Sequence, residues 1–209
     1  MAIIDLSHPL ATGMPVYPGD PGVRITPALD LGEHGVAVSR LDLGSHAGTH
    51  LDAPSHSIAG GRTVDEIPLG LLVGPARILR ASGAARARIE EGDLGLPDRL
   101  PGIVCIATGW DRRFGTDEML RHPSLSLSLV EALWERGARV LGVDALSPDA
   151  TDGGDGTLPV HEFWLGRDGV IVENLRGLEF LPDEVEMSLL PLRVDGGDGS
   201  PVRAIAFVP

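Results

Sequence analysis

The stretch His46-Ala47-Gly48-Thr49-His50-Leu51-Asp52-Ala53-Pro54-Ser55-His56 constrains this chain more than any other. Three of the seven histidines and a carboxylate fall within these eleven residues. Neutral imidazole and carboxylate are ligands that borderline divalent metals accept. Two histidines four apart can share a helix face. Here Gly48 and Thr49 separate His46 from His50, and Pro54 follows, so a continuous helix is disfavoured. On an extended chain His50 and Asp52, two apart, point to the same side. His46 and His56 then converge from the flanking turns. The bland alternative is a polar loop of separately satisfied histidines, and a cluster this dense argues against it.

The chain has 209 residues, enough for one domain (1–209) with a substantial core. Its apolar and charged fractions, 43% and 22%, are globular values. A net charge of −13 argues against nucleic-acid and anionic-membrane partners, which require a positive surface. All seventeen basic residues are arginine, which excludes Schiff-base chemistry and a Walker-type phosphate loop. The single cysteine, Cys105, sits in the apolar run 103–107 and reads as a buried structural thiol in preference to a nucleophile. The N-terminus lacks the basic and apolar regions of a signal peptide, and no run reaches the length of a membrane span. A cytoplasmic location is expected.

The remaining segments read as mixed α/β packing. Residues 3–6 form a short entry strand. Pro15, Pro18 and Pro21 with Gly13, Gly19 and Gly22 then impose an irregular loop that carries Tyr17. His8 and His34 read as surface or turn histidines. The alternation over 35–43 predicts a strand leading into the histidine cluster. Thr63–Glu66 has the look of a helix start limited by Pro68, and 75–80 reads as a strand. Residues 84–94 predict a short exposed helix. The buried strand 103–107 runs into Thr108-Gly109-Trp110, where the indole either walls a pocket or fills the core. A helix is expected over 124–137, with Leu129, Val130, Leu133 and Trp134 on its inner face. A strand follows at 140–144. The Asp/Gly-rich segments 152–156 and 195–199 match no calcium-loop spacing and read as turns. His161 opens a short helical stretch, and Val170–Leu175 reads as a strand with Glu173 near its end. That carboxylate is costly to bury unless a cation receives it, either a metal or the adjacent Arg176. Final strands are expected near 186–194 and 200–208.

HAGTHLDAPSH resembles the HxGTHxDxPxH signature of the metal-dependent cyclase-like amidohydrolases, the group of bacterial kynurenine formamidases and isatin hydrolases. TGW at 108–110, ENL at 173–175 and SPVRAIA at 200–206 extend the likeness over nearly the whole chain. The resemblance implies a β-rich mixed α/β fold of the swivelling β/β/α type and a dimer or higher oligomer. It implies His46, His50, Asp52, His161 and Glu173 as ligands. That set is too rich for one tetrahedral catalytic ion and suits two divalent ions, zinc or manganese, sharing the carboxylates. Two dications against two carboxylates leave a local charge of about +2, which favours a bridging hydroxide as nucleophile. His56 is implied as the proton donor and acceptor, the alternative being a further ligand. Tyr17 matches a pocket aromatic that is typically tryptophan in kynurenine formamidases; packing of its own loop is the competing reading. The implied activity is hydrolysis of a small amide, foremost N-formyl-L-kynurenine to L-kynurenine and formate in tryptophan catabolism. A cyclic-amide hydrolase, a secondary-metabolism cyclase and a non-catalytic metal-binding module are the alternatives.

Overall fold

The apolar runs at 103, 140 and 170 become adjacent parallel strands, because β-branched segments buried on both faces satisfy their backbone only within a sheet. The computed structural model of the chain describes residues 1–153 and 156–208. Its strands are β1 (Ala2–Asp5), β2 (Arg24–Leu29), β3 (Val38–Asp42), β4 (His50–Asp52), β5 (Val73–Arg80), β6 (Arg88–Ile89), β7 (Ile103–Ala107), β8 (Ser124–Leu125), β9 (Val140–Val143), β10 (Val170–Glu173), β11 (Glu184–Ser188), β12 (Gly199–Pro201) and β13 (Ile205–Val208). The helices are α1 (Leu31–His34), α2 (Leu69–Leu72), α3 (Leu127–Glu135) and α4 (Pro159–Leu165).

Among the described residues nine strands form one sheet in the order β1-β13-β11-β5-β7-β9-β10-β4-β12. The four central strands β5, β7, β9 and β10 run parallel, and the flanking pairs are antiparallel. Side chains alternate between two apolar layers. Val104, Ile106 and Ile171 meet Leu129, Leu133 and Trp164 on the helical face. Cys105, Val140 and Val172 face the other way and share a layer with Leu51, Met187 and Ala206. Leu51 and Ala206 stand near opposite ends of the strand order, so the sheet is curled and closes around this second layer. The β-rich mixed α/β class is as expected. No helix among the described residues is long and apolar enough to cross a membrane.

Several local expectations change. Residues 84–94 form no α-helix, only a 3₁₀ turn at Glu91–Asp93. Arg88–Ile89 pairs with Ser124–Leu125 and Ile89 is buried, so tertiary pairing overrides a favourable helix composition. That pairing also takes Ser124–Leu125 out of the helix expected over 124–137; α3 begins after Ser126, whose hydroxyl accepts from the Leu129 amide. Leu129, Val130 and Leu133 are buried as expected, while Trp134 stands at the rim under the Arg139 guanidinium, 4.1 Å from its ring. The strand near 35–43 exists, but it pairs only with β2 as an exposed two-stranded ribbon. The helix start expected at Thr63–Glu66 is present as a 3₁₀ turn, Val64–Glu66, with a Thr63–Glu66 capping box, and it ends before Pro68, which leads into α2; the strand expected near 186–194 lies at 184–188. His8 is no surface histidine: its ring stacks on Phe114 at 4.0 Å, and burial lowers its pKa to about 4. Gly154 and Asp155 of the first Asp/Gly-rich turn lie outside the described residues.

Candidate metal centre

The cluster is built on the antiparallel pair β4–β10. Their register sets Glu173 opposite His50 and Asp52 opposite Ile171. Alternation then sends His50 and Asp52 to one side, with Leu51 between them turned into the core. His46 arrives from the preceding turn, where Gly48 adopts φ +66° and a Cβ would lie 2.9 Å from Leu10 Cδ2. Glycine takes that corner without strain or displacement of the leucine. His56 ends a short 3₁₀ turn started by Pro54, and His161 lies in the first turn of α4.

The polar atoms converge. Asp52 Oδ1 lies 2.7 Å from His46 Nδ1 and 3.3 Å from His50 Nε2. Glu173 Oε2 lies 3.3 Å from His50 Nε2, and Glu173 Oε1 3.4 Å from His161 Nε2. His161 Nε2 is 3.8 Å from Asp52 Oδ2. Two sets of ligand atoms lie within 4.8 Å of one another, His46–Asp52–His56 and His50–Asp52–Glu173. His56 thus stands close enough to be read either as ligand or as acid–base group; its ring lies 4.0 Å from that of His46. Arg176, the rival partner for Glu173, lines a separate groove with Asp5 and His8.

The remote nitrogen of each inner imidazole is held. His50 Nδ1 is 2.9 Å from Gly48 O, His161 Nδ1 is 2.8 Å from Asp149 Oδ2, and His46 Nε2 is 3.0 Å from Asp198 Oδ2. Such outer contacts fix the tautomer and aim the other nitrogen inward. Asp52 Oδ2 and Glu173 Oε1, by contrast, are buried with no hydrogen-bond partner among the described residues. Orphaned carboxylate oxygens among imidazole nitrogens are what a divalent cation satisfies, so the donor set fits a metal.

Protonation follows the same logic. Burial alone would lower the His161 pKa, but the bond to Asp149 and the nearby Glu173 carboxylate prevail and raise it to about 10. Burial likewise opposes charge on His50, and Asp52 and Glu173 outweigh it. Burial pushes Asp52 upward, but the His50 and His46 imidazoles hold it well below the usual carboxylate range. Without a metal, protons on the imidazoles balance the carboxylates. His56 differs: burial, helped by His46 and His161, lowers its pKa against the pull of Asp52.

A cavity of about 190 Å³ opens onto the cluster. Tyr17 and Asp20 from the Pro/Gly loop, with Leu146, Ser147 and Leu158, complete its wall. Trp110 is not brought there. Its indole is buried and Nε1 donates to Met119 O, the core arrangement. Cys105 is buried against Met187, and burial raises its pKa to about 12. Sequence reasoning missed Asp149 and Asp198, since neither lies near a histidine in the chain and only the fold brings them in.

Residues 4–150 match the Cyclase family. The chain belongs to that family. This cyclase-family chain is 32% identical to a kynurenine formamidase of Salinibacter ruber, over 98% of its own length and 97% of the relative's. Isatin hydrolase A from Labrenzia aggregata, bound to benzyl benzoate, superimposes with a TM-score of 0.85 at 25% identity, over 99% of this chain and 93% of that one. A structure described as a predicted metal-dependent hydrolase from Bacillus stearothermophilus gives 0.78 at 26% identity, over 98% and 97%. The cyclase-family chain is therefore an enzyme of a hydrolytic family.

Proposed function

We propose that this chain hydrolyses a small arylformamide, foremost N-formyl-L-kynurenine to L-kynurenine and formate. One observation carries the reading: two buried carboxylate oxygens, on Asp52 and Glu173, have no hydrogen-bond partner among the described residues and lie among imidazole nitrogens, beside a cavity that Glu173 and the histidines line. His46, His50, Asp52, His161 and Glu173 would hold two divalent ions, zinc for its affinity for imidazole or manganese for its affinity for carboxylate. When bound, the metal supplies an acidified water nucleophile and polarises the scissile carbonyl. His56, at the cavity and 30% exposed, takes the proton of the attacking water. It returns that proton to the leaving nitrogen as the C–N bond breaks, a role that typically contributes about 10²–10⁴-fold. Its lowered pKa leaves it neutral and able to accept at pH 7. Tyr17 packs against the aryl group at the cavity wall.

A second reading, hydrolysis of a cyclic amide, is favoured by the likeness to isatin hydrolase A. The chain is further proposed to work as one domain in the cytoplasm, as a homodimer. The exposed β2–β3 ribbon and the α1 turn that joins its strands support the dimer, with Leu31 of α1 and Leu41 of β3 each more than 60% exposed.

The test is a screen of formamides, cyclic amides and lactones on protein of measured metal content, with H56A alongside wild type. H56A is expected to keep its metal and lose turnover of N-formyl-L-kynurenine. Parallel loss of metal and turnover would assign His56 to the ligands, and metal binding without turnover of any substrate would leave a binding module.

A further inference from the structure

The second Asp/Gly-rich turn does more than reverse the chain. We infer that Asp198 is a positioning residue of the metal centre, one carboxylate oxygen holding the outer nitrogen of His46, with His56 alongside. Its Oδ2 lies 3.0 Å from His46 Nε2 and 3.6 Å from His56 Nδ1. Holding the proton of His46 on Nε2 leaves Nδ1, the atom beside Asp52, as the donor to a metal.

The turn is shaped for this. The Asp198 carbonyl accepts from the Ala53 amide at 2.9 Å, which ties the residue to the end of β4. The Gly197 carbonyl accepts from the Val64 amide at 2.8 Å, and Asp65 Oδ1 accepts from the Gly196 amide at 3.0 Å. At Gly199 a Cβ would lie 2.7 Å from His46 Cε1 and 2.8 Å from Leu51 O, so the ring rests against bare backbone. Asp198 and Gly199 thus present a carboxylate and a flat floor to the same imidazole.

The inference rests on the metal-hydrolase reading. The experiment measures zinc affinity by competition with a chromophoric chelator, and kcat and KM for N-formyl-L-kynurenine, in wild type, D198A, D198N and D195A; melting curves establish that each is folded. D198A is expected to keep its zinc stoichiometry, bind about 10–100-fold more weakly and lose kcat with little change in KM. D198N should recover most of both, because its amide oxygen can still accept from His46 Nε2. D195A should match wild type. Wild-type affinity and turnover in D198A would overturn the inference alone, as would equal losses in D198N and D198A. A wild-type chain that takes up no zinc would overturn the metal-hydrolase reading and the inference with it.

Discussion

Asp149 offers the sharpest test of how the fold supports the centre. Its carboxylate, 2% exposed, accepts from the Val160 amide at 2.9 Å and the His161 amide at 3.0 Å, and lies 2.8 Å from His161 Nδ1. It therefore closes the first turn of α4 and orients the imidazole carried there. D149A leaves these groups unpaired in a buried site. A hydrogen bond to a charged group is worth about 1.5–3 kcal/mol net, and three that share one acceptor do not add fully, so a loss of about 3–6 kcal/mol is expected. For a chain of this size that corresponds to a melting temperature lower by roughly 6–24 °C. D149N is the discriminating variant. Its single oxygen can serve the His161 amide and Nδ1, but its amide then faces the Val160 N–H donor to donor. One orphaned donor costs about 1–3 kcal/mol, so D149N should melt between D149A and wild type. Zinc affinity, measured with a competing chelator, should fall by about 10–100-fold in D149A and less in D149N. A D149A protein that melts within 2 °C of wild type, or binds zinc equally well, would falsify this account of α4 (~2 °C being about 1 kcal/mol or less).

Two further outcomes follow from the packing. Asp144 is buried and its pKa is raised to about 6 from 3.8, burial outweighing its bonds to Thr108 and Gly109. The folded state holds a proton that the unfolded chain has lost between these values, so the contribution is full below pH 3.8 and disappears as pH rises through 6. The stability of D144N relative to wild type, from urea unfolding, should therefore climb between pH 4 and 7, by up to about 3 kcal/mol; a flat difference refutes the assignment. Gly48→Ala must place a Cβ at positive φ and 2.9 Å from Leu10 Cδ2, so it should cost about 1–3 kcal/mol and weaken zinc binding together. Unchanged melting would mean that the corner relaxes without strain.

How much was legible depended on where each signal resides. The His46–His56 cluster could be read because its information is local: residue type, spacing, and the glycine and proline that forbid a helix. Strands β7, β9 and β10 could be read because burial on both faces leaves unbroken apolar runs. Asp149 and Asp198 carried no such mark, since an aspartate in a Gly- or Pro-rich turn looks the same whether it caps a bend or orients an imidazole. Residues 84–94 misled because helix-favouring composition says nothing about a partner strand 36 positions away, as Ser124 is from Arg88. Trp110 stayed open between pocket and core for a related reason: the neighbouring TGW letters place it beside a strand end, but the direction of its ring is decided by Met119, to which its indole donates.

The pairing of β4 with β10 has one more implication. Glu173 sits across from His50, and Leu51 across from Val172, so donors and core residues alternate along the same two strands. Sliding one strand by a single position would turn leucine toward the imidazoles and carboxylate into the oil. Assembly of the donor set and correct zipping of this ladder are thus one event seen from two faces, and a chain that mispairs here forfeits its site and its interior at a stroke.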